Sequence, residues 1–204
     1  MKQTATRMLF AYWDGLRGER AAPERGEIEP GAIRHVLPDA FILEADGERR
    51  VRVRLAGTRL CALFGGELKG RSFETLWSGS ASREICRSIE TVVEDTAGMV
   101  VGLVGTTAKG HRLDLEMVLL PLRHRGRTHT RVLGAMTPAV VPPWLGFEPL
   151  SALANVSMRV LSPSRGAVPA EAFADVSLPR AEPVVAARTA AGPRRFVVYE
   201  GGRA

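Results

Sequence analysis

Arg54-Leu55-Ala56-Gly57-Thr58-Arg59-Leu60-Cys61-Ala62-Leu63-Phe64-Gly65-Gly66-Glu67-Leu68-Lys69-Gly70-Arg71-Ser72-Phe73 is the stretch on which the fold turns. Leu60, Cys61, Leu63 and Phe64 recur at helical spacing, which predicts a short helix over 57–64 with those residues inward. Gly65-Gly66 ends it, since glycine weakens a helix interior and readily takes the backbone conformation of a helix end. After Gly70-Arg71 a further turn carries Phe73, Leu76 and Trp77. Two short apolar-sided elements in succession need a sheet to lie on.

Sheet signals stand on both sides. Upstream, Ala40 to Ala45 reads as a strand, Asp46-Gly47 as a hairpin turn, and Val51, Val53 and Leu55 alternate with Arg50, Arg52 and Arg54 in a second strand. Before them, Met8, Leu9, Tyr12, Trp13 and Leu16 mark an amphipathic helix over 4–17, which Gly15 and Gly18 weaken and stop. A polar link follows from Pro23 to Glu29, and Pro30 opens a short helical turn with Ile33, Val36 and Leu37 that Pro38 closes. Downstream, Ile85, Cys86, Ile89, Val92 and Val93 form one stripe of a helix over 81–95. Three strands are predicted next, Met99 to Thr107, Arg112 to Leu122 and Thr130 to Thr137, joined by Lys109-Gly110 and a basic turn at Gly126.

From Val140 the character changes. Eight of the 13 prolines lie in 142–193 and the hydrophobic periodicity fades, which predicts a loop-rich tail over 141–204. Phe196 to Tyr199 is a possible short last strand there. The predicted class is α+β: a five-stranded antiparallel sheet over 21–140 carrying its helices on one face, preceded by a flanking helix within 1–20 and followed by a Pro-rich tail.

Composition bounds the function. At 204 residues, 45% hydrophobic and 25% charged, the chain has the make-up of a folded domain with its own core. Two cysteines give no disulfide or metal framework, and no apolar run reaches the 18 residues of a membrane span. The N-terminus lacks a charged-then-apolar leader, so a cytoplasmic location is expected. Net charge is +6, but of the 28 basic residues only Lys2, Lys69 and Lys109 are lysine, and the arginines are dispersed. Such a skew fits a G+C-rich coding bias. The densest group, Arg123-His124-Arg125-Gly126-Arg127, sits at a turn without interleaved aromatics, which disfavours a nucleic-acid surface.

Reactive chemistry is sparse. His35, His111, His124 and His129 lack the pairing of a metal helix, so no metal site is expected. Asp114 and Glu116 share a strand face and read as cross-strand ion-pair partners. Cys61 and Cys86 read as small buried hydrophobes. No catalytic motif is present, and no catalytic residue is named.

The element order resembles that of a PAS domain, and the quoted stretch resembles the PAS helix-loop segment in which a Glu-Leu-x-Gly-Arg-x-Phe run follows a glycine-ended helix. Tyr12 to Gly18, Ile28-Glu29-Pro30 leading to Leu37-Pro38, Arg54 to Thr58 with Phe64-Gly65, Leu76-Trp77 and Leu120-Pro121-Leu122 are similar to stand-alone PAS-like proteins found mainly in alphaproteobacteria, over about residues 5 to 140. The resemblance implies a sensory or regulatory module that binds a small molecule or a signalling protein and is not an enzyme. It implies a space enclosed by Phe41, Leu60, Phe64, Phe73, Trp77, Met117 and Met136, read either as a filled core or as a ligand pocket. It also implies dimerisation through a flanking helix, here through Tyr12, Trp13 and Leu16, unless that face is buried on its own sheet. A flavin is disfavoured because Arg59 to Phe64 departs from the photoreactive-cysteine motif, and no other cofactor is named. No output domain is recognisable in the tail. The alternatives are a small cone-shaped isomerase-like enzyme using Asp114 or His111, and an Arg-rich nucleic-acid binder.

Overall fold

The computed structural model describes residues 1–45, 50–124 and 127–161, with backbone only over 127–130. Helix α1 (Thr4–Arg17) comes first, followed by strands β1 (Ala40–Ala45) and β2 (Val51–Ala56). Helices α2 (Thr58–Leu63) and α3 (Ser80–Glu94) flank a 3-10 turn at Phe73–Leu76. Strands β3 (Gly98–Thr107), β4 (Arg112–His124), β5 (Arg127–Pro138) and β6 (Leu150–Leu161) complete the chain. All neighbours are antiparallel, in the order β2-β1-β5-β4-β3-β6. The predicted Asp46-Gly47 turn and Phe196 to Tyr199 strand lie outside the described residues.

The sheet has six strands, not five. β6 falls in the stretch read as loop, and it pairs with β3 from Gly98↔Leu161 to Thr107↔Leu150. Of its two register shifts, the one between Asn155 and Ser157 puts Leu153 and Leu161 on opposite faces, so the strict alternation that signals a strand is broken. Pro38 also lies inside a 3-10 turn, Leu37–Asp39, and does not end the preceding one.

Helices occupy both faces of the sheet. In β4 every residue from Met117 to Leu122 is buried. Met117 and Leu119 join the core beneath α2, the 73–76 turn and α3, where Phe41, Leu60, Phe73 and Ile85 also lie. Val118, Leu120 and Leu122 point the other way and meet Leu9, Trp13, Ile33 and Val36. Each such aliphatic side chain contributes roughly 1.5–3 kcal/mol on burial, so an uncovered second face would be a large deficit. α1 supplies that cover. Ala5, Leu9 and Trp13, four residues apart, form its buried stripe. The helix ends where Gly18, at φ 55°, donates its N–H to the Asp14 carbonyl.

Trp13 locks the helix in place. It is 2% exposed, and its Nε1–H donates to the Pro121 carbonyl on β4 at 2.8 Å. Replacement by alanine removes both the buried ring and this bond. Trp13→Ala is therefore expected to lower unfolding free energy by about 3–5 kcal/mol in urea titration, and a loss below about 1 kcal/mol would show that the helix is not part of the folded core.

Candidate functional site

Between the sheet and α2/α3 the seven proposed pocket residues come together. Phe41, Leu60, Phe73, Trp77, Met117 and Met136 are buried in one cluster, with half-buried Phe64 packed against it. β1 delivers Phe41, whose ring lies over Gly134 of β5 so closely that a Cβ there would stand 2.3 Å from its Cζ. From Phe41 the rings run outward to Phe73 (centroids 5.3 Å) and on to Trp77 (4.9 Å). Trp77 is anchored by its Nε1–H to Asn155 of β6 at 2.8 Å. The added strand thus holds the end of the aromatic row.

The quoted stretch owes its glycine to a close approach. A Cβ on Gly57 would lie 2.1 Å from the Leu37 carbonyl oxygen, while the Gly57 N–H donates to Ala40 at 2.8 Å. Glycine is the one residue that lets α2 start against the 37–39 turn. Beside it, Asp39 is 3% exposed and takes a hydrogen bond from Arg59 Nη2 at 2.8 Å.

Of the proposed interface residues, Trp13 is consumed by its own sheet, which removes it from any dimer surface. Tyr12 and Leu16 are half-buried on the same core. Tyr12 is also tied down, its hydroxyl accepting from the Glu29 N–H at 2.8 Å.

The carboxylates on β4 behave differently from a cross-strand pair. Glu116 reaches to the positive end of α1, where it accepts the N–H groups of Lys2 (2.7 Å) and Gln3 (2.9 Å) and the Thr6 hydroxyl. Burial pushes its carboxyl up, but these bonds outweigh burial and hold it below the usual range. The sequence shows only a polar residue on a strand face, with no sign of a partner 110 residues away. Asp114 is exposed. It borders an open groove of about 670 Å3 beside the helix start, with Gln3, Val100, Gly102 and Arg159.

Other reactive groups are dispersed. His111 is half-exposed, paired through Nδ1 to Glu148 at 2.9 Å and stacked on Trp144. It therefore does not line the aromatic core. The thiols are free and half-buried, not fully buried. Cys86 donates to Glu74 at 3.3 Å, and burial and that carboxylate push its pKa up to about 11. A thiol held protonated is a poor nucleophile. Among the described residues no His, Cys, Asp and Glu group could hold a metal, and no helix is long and apolar enough to cross a membrane.

A PAS domain family model matches residues 1–137, about two thirds of the chain. The chain belongs to the PAS domain family. It is thereby a sensory signalling module, of a family that is generally non-enzymatic. The match begins at residue 1, so it takes in α1, and it stops before β6. Among solved structures, a light-oxygen-voltage domain from a flavin-analogue study is 14% identical, with TM-score 0.44 over 54% of this chain and 83% of that one. The Rhodobacter sphaeroides LOV protein is 14% identical, with TM-score 0.42 over 57% and 71%. The PAS domain, in complex with ethanol, of a LuxR-family transcriptional regulator from Burkholderia thailandensis is 20% identical, with TM-score 0.40 over 55% and 98%. No curated protein matches the chain.

Burial of Asp39 has a consequence for stability. Desolvation raises its pKa from the ordinary 3.8 to about 6, against the lowering effect of Arg59. The native carboxyl therefore binds its proton more tightly than the unfolded one. Its contribution to stability is complete below about pH 4 and is lost as the pH rises through 6. In Asp39→Asn that loss disappears, so urea unfolding at pH 4 and pH 7 should show the variant gaining on the parent as pH rises. Parallel curves would contradict it.

Proposed function

We propose that the chain is a cytoplasmic regulatory PAS module that works by binding a protein partner in a signalling pathway. The narrower resemblance, to stand-alone PAS-like proteins, supports the same reading through Tyr12 to Gly18 and Arg54 to Thr58.

The observation that carries the proposal is the row Phe41–Phe73–Trp77. Its rings touch one another across the space between sheet and helices, at 5.3 and 4.9 Å. Phe41 and Phe73 are fully buried and Trp77 is 5% exposed. Close-packed rings leave a ligand to displace them, at the cost of their dispersion contacts. The seven residues serve here as core, and signalling then passes through the surface. One apolar surface is available on β6, where Val156, Met158 and Val160 are 66%, 40% and 51% exposed. Among the described residues β6 is an edge strand whose one charged side chain is Arg159, and such an edge is suited to contact with another chain.

Native mass spectrometry of gently purified full-length chain tests the choice. The expected mass is that of the polypeptide, singly or as a multiple. Excess mass that disappears on denaturation would replace the partner reading with a small-molecule sensor, and the ring row would then be its pocket wall.

A further inference from the structure

An open hollow on the outer face, at the opposite end of the sheet from β6, has no part in that reading. It holds about 420 Å3, and five basic side chains line it: Arg25, Arg54, Lys69, His124 and Arg131. They come from five separate segments: the 25–27 turn, β2, the loop after α2, β4 and β5. The floor is Ile42 and Leu55, the latter 43% exposed.

The charges are not balanced from within. Glu44 is the carboxylate that bonds to this group, to Arg131 Nη2 at 2.7 Å and to Arg54 Nε at 3.9 Å. Glu67 also lies close enough to Lys69 to feel its charge. Among the described residues, four permanent cations against these two carboxylates leave two positive charges at one site, His124 left aside. Like charges gathered in a concave site repel one another unless an anion sits among them. Arg131 adds a second sign. Its side chain is only 13% exposed, yet its Nε–H has no hydrogen-bond partner among the described residues. A buried, unpartnered guanidinium N–H is costly and calls for a reason.

The hollow also suggests what the anion carries. Its volume far exceeds a bare oxyanion and falls in the range of small-molecule sites. An apolar cleft of about 50 Å3 continues from it past Arg25, Ile42 and Leu55, beneath the segment bearing Ile28, Ile33 and Leu37. We propose that this pocket binds a small organic phosphate. The phosphoryl oxygens are held by the charges of Arg25, Arg54, Lys69 and Arg131, and the carbon skeleton lies on Ile42 and Leu55.

The test is calorimetry and phosphorus NMR of the full chain titrated with phenyl phosphate. Inorganic phosphate, phenol and a thymidine decanucleotide serve as further arms. Saturable one-to-one binding of phenyl phosphate is expected, tighter than inorganic phosphate, absent for phenol and weakened by salt. The double variant Arg54→Gln/Lys69→Gln should weaken it roughly tenfold or more with unchanged thermal melting, since both side chains stand in solvent. No saturable binding, or equal binding by the double variant, overturns the proposal. So does binding of the decanucleotide without phenyl phosphate, which would mark an extended phosphate-backbone surface. None of these outcomes bears on the ring row or on the partner reading.

Discussion

Everything in this molecule follows from a central pair of strands that is apolar on both sides. Met117 to Leu122 are all buried, alternate residues facing opposite cores. A half-wet antiparallel sheet needs one layer of helices, whereas this one needs two. α2, α3 and the 73–76 turn cover one face. α1 and the segment through Ile28, Ile33 and Val36 cover the other. The flanking helix is therefore a layer of the domain and not an appendage.

Two polar contacts give that layer its register. Trp13 donates to the Pro121 carbonyl, so an indole that must be buried also satisfies its N–H. Glu116 takes the N–H groups at the other end of α1. Both partners sit on β4, the strand whose opposite side carries Met117 and Leu119 in the aromatic core.

The element order was legible because most segments keep a clean period: β2 alternates arginine with aliphatic residues, and α3 carries Ile85, Ile89 and Val92 on one stripe. The seven core residues were legible through the resemblance, which says which elements enclose one space; period alone does not show that apolar positions converge. β6 was hidden because its bulges break the two-residue alternation and because the prolines around it read as loop. The face chosen by α1 was open in the sequence, since an amphipathic helix declares that it will be covered and not by what. Glu116, Asp39–Arg59 and the basic pocket were out of reach for a further reason. Each joins residues distant along the chain, and single charged residues carry no periodic signal.

Hydrogen–deuterium exchange of the intact chain tests most directly whether α1 is a structural layer. If α1 seals the second face, amides from Leu9 to Trp13 exchange as slowly as those from Met117 to Leu122, both limited by global unfolding. Exchange in α1 orders of magnitude faster than in β4 would mean that the helix opens on its own. The second core would then not be what holds the fold together.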